Sequence, residues 1–234
     1  MVLPQLISHH LKHGDDAEFY RLQARDAIAW LRKKGVPLNS STSAIDLGCG
    51  HGVFGEELLK DSCNVTFSDE QNFLIDRLRH HPFRQFNIDT EDVSSLGEFD
   101  LVICSNVYEH LSKPDQFLAG LHRCVKPGGF FYLSWTNWLS PWGGHEFSPF
   151  HYFGPRLGPR LADRFTGKKR KHTPYENLFP TSIGHAMRQL KRNKHLRIAA
   201  AAPRYYPEFS VVTYIPILRE FVTWNCALLL RRQK

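Results

Sequence analysis

"AIDLGCGHGVFG", residues 44–55, packs four glycines behind a short apolar run. Loops of this kind let a backbone pass close to a nucleotide, because glycine reaches conformations closed to other residues. Two frames fit. In one, Gly50-His51-Gly52-Val53-Phe54-Gly55 matches the G-x-G-x-x-G of dinucleotide-binding folds. In the other, a strand ends at Asp46-Leu47 and the loop reads Asp46-x-Gly48-x-Gly50-x-Gly52, with a carboxylate at its mouth.

That carboxylate decides between the frames. A pyrophosphate seeks helix N-termini and backbone nests and would be repelled by it. A ligand with an ammonium and a sulfonium group and no phosphate, S-adenosylmethionine (SAM), suits it. Asp69 closes the next apolar run in "VTFSD". Its place, about 20 residues beyond the loop, suits an acidic residue that accepts hydrogen bonds from ribose hydroxyls. The frame selects SAM over NAD.

Outward from the loop, the chain alternates apolar runs with amphipathic stretches. A helix is expected from Asp15 to Lys34, capped by Asp15 or Asp16 and stopped by Gly35 and Pro37. Strands are expected at 43–48, 64–69, 84–89, 99–107 and 130–137. The helices between them fall at 52–61, 70–81 and 113–125, the last ended by Pro127-Gly128-Gly129. Such alternation implies right-handed crossovers and a parallel sheet covered by helices on both faces. After Asn137 the period breaks, and residues 138–180 are rich in Pro, Gly, aromatic, His and basic residues. A helix near 181–193, a strand near 196–206, a short helix near 211–220 and a final strand at 223–232 complete the reading. The whole of 1–234 reads as one domain, with a helical cap over about 1–40 and a substrate lid over 138–180.

Composition narrows the classes. No apolar run approaches the roughly 20 residues of a membrane span, and the N-terminus lacks the pattern of a signal peptide. The five scattered cysteines form no C-x-x-C pair, which argues against a disulfide scaffold and for a cytoplasmic protein. A net charge of +7 suits an anionic partner.

The segments "AIDLGCGHG", "VTFSDE", "FNIDTEDV", "FDLVICSNVYEHL" and "LHRCVKPGGFFYLSW", in this order between about 43 and 137, resemble the class I SAM-dependent methyltransferases, closest to the ubiquinone/menaquinone-type branch acting on small molecules. The resemblance implies a Rossmann-like seven-stranded sheet, mostly parallel, with the last strand antiparallel. It also implies that Asp46, Gly48, Cys49, Gly50 and Gly52 line the methionyl end of SAM, that Asp69 and Glu70 bind the ribose, that Asp89 with Thr90 meets the adenine, and that Ser105 and Asn106 sit near the methyl. Some quinone O-methyltransferases place metal ligands at the turn after strand four, with an acidic residue where this chain has Asn106; that substitution removes a ligand. Helical H-E-x-x-H spacing is absent around His145, Glu146 and His151, so no metal site is expected.

In-line methyl transfer needs a base only when the acceptor loses a proton. His110, His145 and His151 are the candidate catalytic residues, the last two within the lid. The absence of a D/N-P-P-Y-like stretch and of a Pro-Cys pair argues against nucleic acid. Aromatics followed by cations across 138–171 suit a small-molecule or lipid-linked hydroxyl acceptor with an anionic end, and docking at an anionic membrane surface. RNA or protein methylation, drawn by the basic lid, is the rival among enzymes; a non-catalytic SAM-binding subunit is the rival outside them.

Overall fold

The structure, a computed structural model, describes residues 2–14, 16–167 and 170–234. Two helices, α1 (Leu3–His13) and α2 (Ala17–Lys33), precede the sheet. Asp16 caps α2, its carboxylate accepting from the Phe19 N–H at 2.9 Å; Asp15, the other candidate cap, lies outside the described residues. Helix α2 buries Ala24, Ala27, Ile28 and Leu31 along one stripe.

The strands are β1 (Ser43–Leu47), β2 (Asn64–Asp69), β3 (Phe83–Gln85), β4 (Phe99–Ser105), β5 (Val125–Thr136), β6 (Leu196–Pro203) and β7 (Asn225–Arg232). They form one seven-stranded sheet in the order β3-β2-β1-β4-β5-β7-β6. Strands β1 to β5 pair in parallel, and β7 runs antiparallel to both β5 and β6. This is the Rossmann-like arrangement expected. From β1 the chain first builds outward to β2 and β3, then returns to place β4 on the other side. The ends of β1 and β4 therefore flank a topological switch point, where open α/β sheets hold their ligands.

Period-two alternation splits the core between the two faces of the sheet. Along β4, Val102 and Cys104 join one cluster with Phe131, Leu133 and Trp135. Leu101 and Ile103 join the other, with Ile28, Leu31 and Phe67. Helix α3 (Val53–Leu59) covers the second face; α4 (Pro114–Gly120) and α6 (Ile183–Arg192) cover the first.

Three expectations are corrected. Residues 70–81 contain a single 3-10 turn, Asp76–Leu78, in place of a helix. The Asn72 side chain accepts from the Leu74 N–H at 3.2 Å, a local alternative to the helical ladder. Pro127-Gly128-Gly129 does not precede β5 but lies within it, as a bulge at which the pairing to β4 shifts between Phe99 and Leu101. The helix near 211–220 is broken into a 3-10 turn, Pro207–Tyr214, and α7 (Leu218–Val222), divided at Pro216 and at Ile217 with φ +67°.

The 138–180 segment, aperiodic in sequence, folds around its own small core of Trp138, Phe147, Ala162 and Leu178. It contains two 3-10 turns and α5 (Leu157–Thr166). Lys168 and Lys169 of its basic run lie outside the described residues.

Candidate active site

The β1–α3 loop is built on three positive-φ glycines, Gly48 at +72°, Gly50 at +48° and Gly52 at +83°. A Cβ on Gly48 would come within 2.4 Å of Val107 Cγ2, so the loop packs directly on the turn that follows β4. A Cβ on Gly50 would meet nothing within 4 Å. The backbone is bare there, and it faces a cavity of about 670 Å³. That volume lies within the range of about 300–1,000 Å³ usual for small-molecule sites.

Asp46 sits beneath this loop, 2% exposed. Its Oδ2 accepts from the Gly55 N–H at 2.8 Å. Burial pushes its carboxyl up to about 7, against the Gly55 bond and aided by the nearby Asp69. Asp69, at the end of β2, accepts from the Gly50 N–H at 2.8 Å and from the Glu70 N–H at 2.8 Å. Cys49 is buried in the same loop, and desolvation raises its thiol far above the usual range, which leaves it inert.

Asp46, Gly48, Cys49, Gly50, Ser105, Asn106, His110 and His145 all line the cavity. Gly52, Asp69, Glu70, Asp89 and Thr90 do not. Gly52 turns under Leu74 and Leu78. Glu70 and Thr90 are exposed, and the Asp89 carboxylate accepts from the Ser112 N–H at 2.8 Å. His151 is also elsewhere. It is fully buried within the 138–180 segment, where its Nε2–H donates to the Ser140 carbonyl at 2.9 Å and its ring stands edge-on to Trp138.

Ser105 and Asn106 belong to a polar network that spacing does not reveal. The Ser105 hydroxyl bonds that of Ser134 at 2.9 Å, and Arg204 donates to Ser105 at 3.1 Å. Asn106, at φ +57°, accepts from Asn225 at 2.8 Å and donates to Gln23 at 3.4 Å. Arg204 is 3% exposed and lies over the Phe54 ring at 5.1 Å. The only signal for Arg204 and Asn225 was a polar residue within a buried apolar strand or at its end, which implies a partner.

Helices α1 and α2 form one wall of the cavity through Leu6, Ile7, Phe19 and Tyr20. The 138–180 segment forms the other through Trp142 and His145. The two meet where Trp142 stands edge-on to His10 at 5.3 Å and stacks on Trp224 at 5.3 Å. At this end lie Glu109, His110, His145 and His172. Glu109 is 1% exposed, accepts from the Thr136 N–H at 2.9 Å, and has its carboxyl raised by burial. Burial, with His172 and His110 beside it, lowers His145 to about 4. Glu146 is buried enough to oppose its charge, yet hydrogen bonds from the His172 side chain and nearby backbone N–H groups pull it down to about 2.

Residues 45–131 match a family model described as a methyltransferase domain. An uncharacterized methyltransferase of Mycobacteroides abscessus is 31% identical to the chain, across 97% of this chain and 92% of that protein. Among solved structures, an S-adenosylmethionine-dependent methyltransferase from Mesorhizobium loti shares the fold with a TM-score of 0.59 at 19% identity, over 88% of this chain and 98% of that one. PKMT2 from Rickettsia typhi, solved in complex with AdoHcy, shares it with a TM-score of 0.57 at 17% identity, over 88% of this chain and 52% of that one.

Proposed function

The chain belongs to the methyltransferase family, and we propose that it moves a methyl group from SAM to a hydroxyl oxygen of a small-molecule or lipid-linked acceptor. The observation that carries this reading is the buried Asp46 carboxylate beneath a loop whose backbone is bare at Gly50. The donor set fits SAM. Asp46, Gly48 and Gly50 would hold its amino-acid end, where the carboxylate answers an ammonium group and the bare backbone allows close approach. Bound there, SAM supplies a sulfonium methyl as the electrophile.

The residues of the chain then have two tasks. Ser105 and Asn106, fixed by Arg204, Asn225 and Gln23, set the floor between donor and acceptor. Holding the reactants in line is worth about 7–11 kcal/mol of the barrier. Helices α1 and α2, with Trp142 and Trp224, form an apolar surround that excludes water. At the acceptor end, three imidazoles offer lone pairs to a hydroxyl.

The lid supports an acceptor apolar at one end. Phe153, Leu157 and Phe165 are exposed on or beside α5, among exposed Arg160 and Arg164. Such a surface suits contact with an anionic membrane that carries the acceptor. No helix among the described residues is long and apolar enough to cross one.

Calorimetric titration with S-adenosylhomocysteine, with NAD in parallel, tests the cofactor. Binding of the homocysteine product and not of NAD is expected; binding of NAD alone overturns the reading. Labelled SAM offered to metabolite and lipid extracts then identifies the acceptor.

A further inference from the structure

The acceptor end of the cavity gathers three histidines from separate segments. His110 ends the turn after β4, His145 opens a 3-10 turn of the lid, and His172 follows α5. One ligating atom from each lies within 4.8 Å of the others. The ring centroids of His145 and His172 are 4.7 Å apart, and those of His110 and His172 are 5.4 Å apart.

Hydrogen bonds fix the tautomers of two of the rings. His110 Nδ1 lies 2.6 Å from the Asn177 carbonyl oxygen, which can only accept, so this nitrogen carries the proton. His172 Nδ1–H donates to Glu146 Oε2 at 2.7 Å. Glu146 is itself fixed by the backbone N–H groups of Lys171 and His172. These two rings therefore keep an Nε2 lone pair. His145 Nδ1 is buried with no hydrogen-bond partner, and its backbone is held at φ +48°. A non-glycine residue pays for that conformation, which persists where surrounding structure enforces it. Three imidazoles with ligating atoms this close, one ring carrying a buried nitrogen with no hydrogen-bond partner, offer lone pairs that a cation can take.

We propose that His110, His145 and His172 hold a divalent metal ion of the zinc class, open on its remaining side to the cavity. An all-imidazole donor set suits zinc, cobalt or nickel and disfavours magnesium and calcium, which take oxygen ligands. Bonds of about 2.0–2.1 Å place three tetrahedral nitrogens ~3.3 Å apart, a contraction that side-chain rotation supplies from the present spacing. Glu146 and the Asn177 carbonyl are the outer partners that orient metal-bound imidazoles. The site goes beyond the cofactor reading and stands apart from it. Where both hold, the open position would take the acceptor's hydroxyl and acidify it so that its proton leaves to solvent through the cavity, and the histidines are ligands rather than proton acceptors.

The test uses the untagged chain, freed of metal by chelation and titrated with cobalt(II) while visible absorption is followed. Homocysteine-product binding is measured on the same sample. Saturation at one equivalent, with the intense absorption of a four-coordinate site and displacement by zinc, is expected. His145→Ala and His172→Ala should abolish the spectrum. Glu146→Gln, which keeps all three ligands, should weaken cobalt binding by about 10–100-fold; circular dichroism confirms that each variant is folded. Absence of a stoichiometric cobalt spectrum while the homocysteine product still binds overturns the metal site and leaves the cofactor reading intact. A cobalt spectrum without product binding upholds the metal site and overturns the cofactor reading.

Discussion

Asp69 and Gly50 are joined by a hydrogen bond of 2.8 Å from the glycine N–H to the carboxylate. The acidic residue that ends β2 thus closes the loop that follows β1. Hydrogen bonds to charged groups contribute about 1.5–3 kcal/mol. With Asp69 only half-buried, the lower end applies. Asp69→Ala should weaken binding of the homocysteine product by about tenfold. Calorimetry that finds its affinity unchanged would show that the loop needs no such tie.

Asp46 gives stability a pH signature. Its folded carboxyl, raised to about 7 from an ordinary 3.8, holds a proton that the unfolded chain has released. This contribution is fully present below the unfolded value and is lost as pH rises through the folded one. Asp46→Asn removes the titration. Denaturant unfolding at about pH 5 and about pH 8 should show a larger loss in the parent than in the variant. The same variant should bind the homocysteine product more weakly, so stability and affinity move in opposite directions. Equal pH slopes would place the Asp46 carboxyl in its ordinary range.

Gly48 and Gly50 differ in what surrounds them. Gly48→Ala meets both a left-handed backbone and Val107 at 2.4 Å, which should cost about 2–4 kcal/mol. Gly50→Ala meets the backbone penalty alone, about 1–2 kcal/mol, and places a methyl where the ligand approaches. Thermal melts should rank Gly48→Ala as the less stable, and titration should find little binding left in Gly50→Ala. The reverse ranking would mean that the loop does not press on the turn after β4.

The proposed membrane contact rests on the exposed face of α5. Each basic residue near an anionic surface contributes about 1 kcal/mol, so Arg160→Gln and Arg164→Gln together should lower vesicle binding by about thirtyfold. Sedimentation with vesicles rich in anionic lipid measures it. Binding that is equal in parent and double variant would remove the membrane from the lid's role.

The glycine loop, Asp46 and the sheet were legible because their causes are local. Apolar runs mark buried strands, and positive φ demands glycine. The 70–81 segment misled because Asn72, one polar residue in a helical pattern, bonds its own backbone instead. The histidine cluster was illegible for another reason. His110, His145 and His172 share no period, and the fold alone brings them together. His145 and His151 look alike in sequence, yet Gly144 packs against the His151 ring and draws it into the lid core while His145 stays at the cavity. The signal in "KKRKHTP" was charge, which hid the one imidazole.

Strand β7 lies between β5 and β6, although it is the furthest of the seven along the chain. During synthesis the sheet must therefore wait with a gap beside β5 until residue 232 has left the ribosome. Contacts of such long sequence separation close slowly. A chain stopped short of this point leaves Ser134 and Thr136 without their neighbours Ala227 and Asn225, and Asn106 without the amide that holds it. Prematurely terminated copies would carry the glycine loop without the strand that completes the proposed floor beneath it.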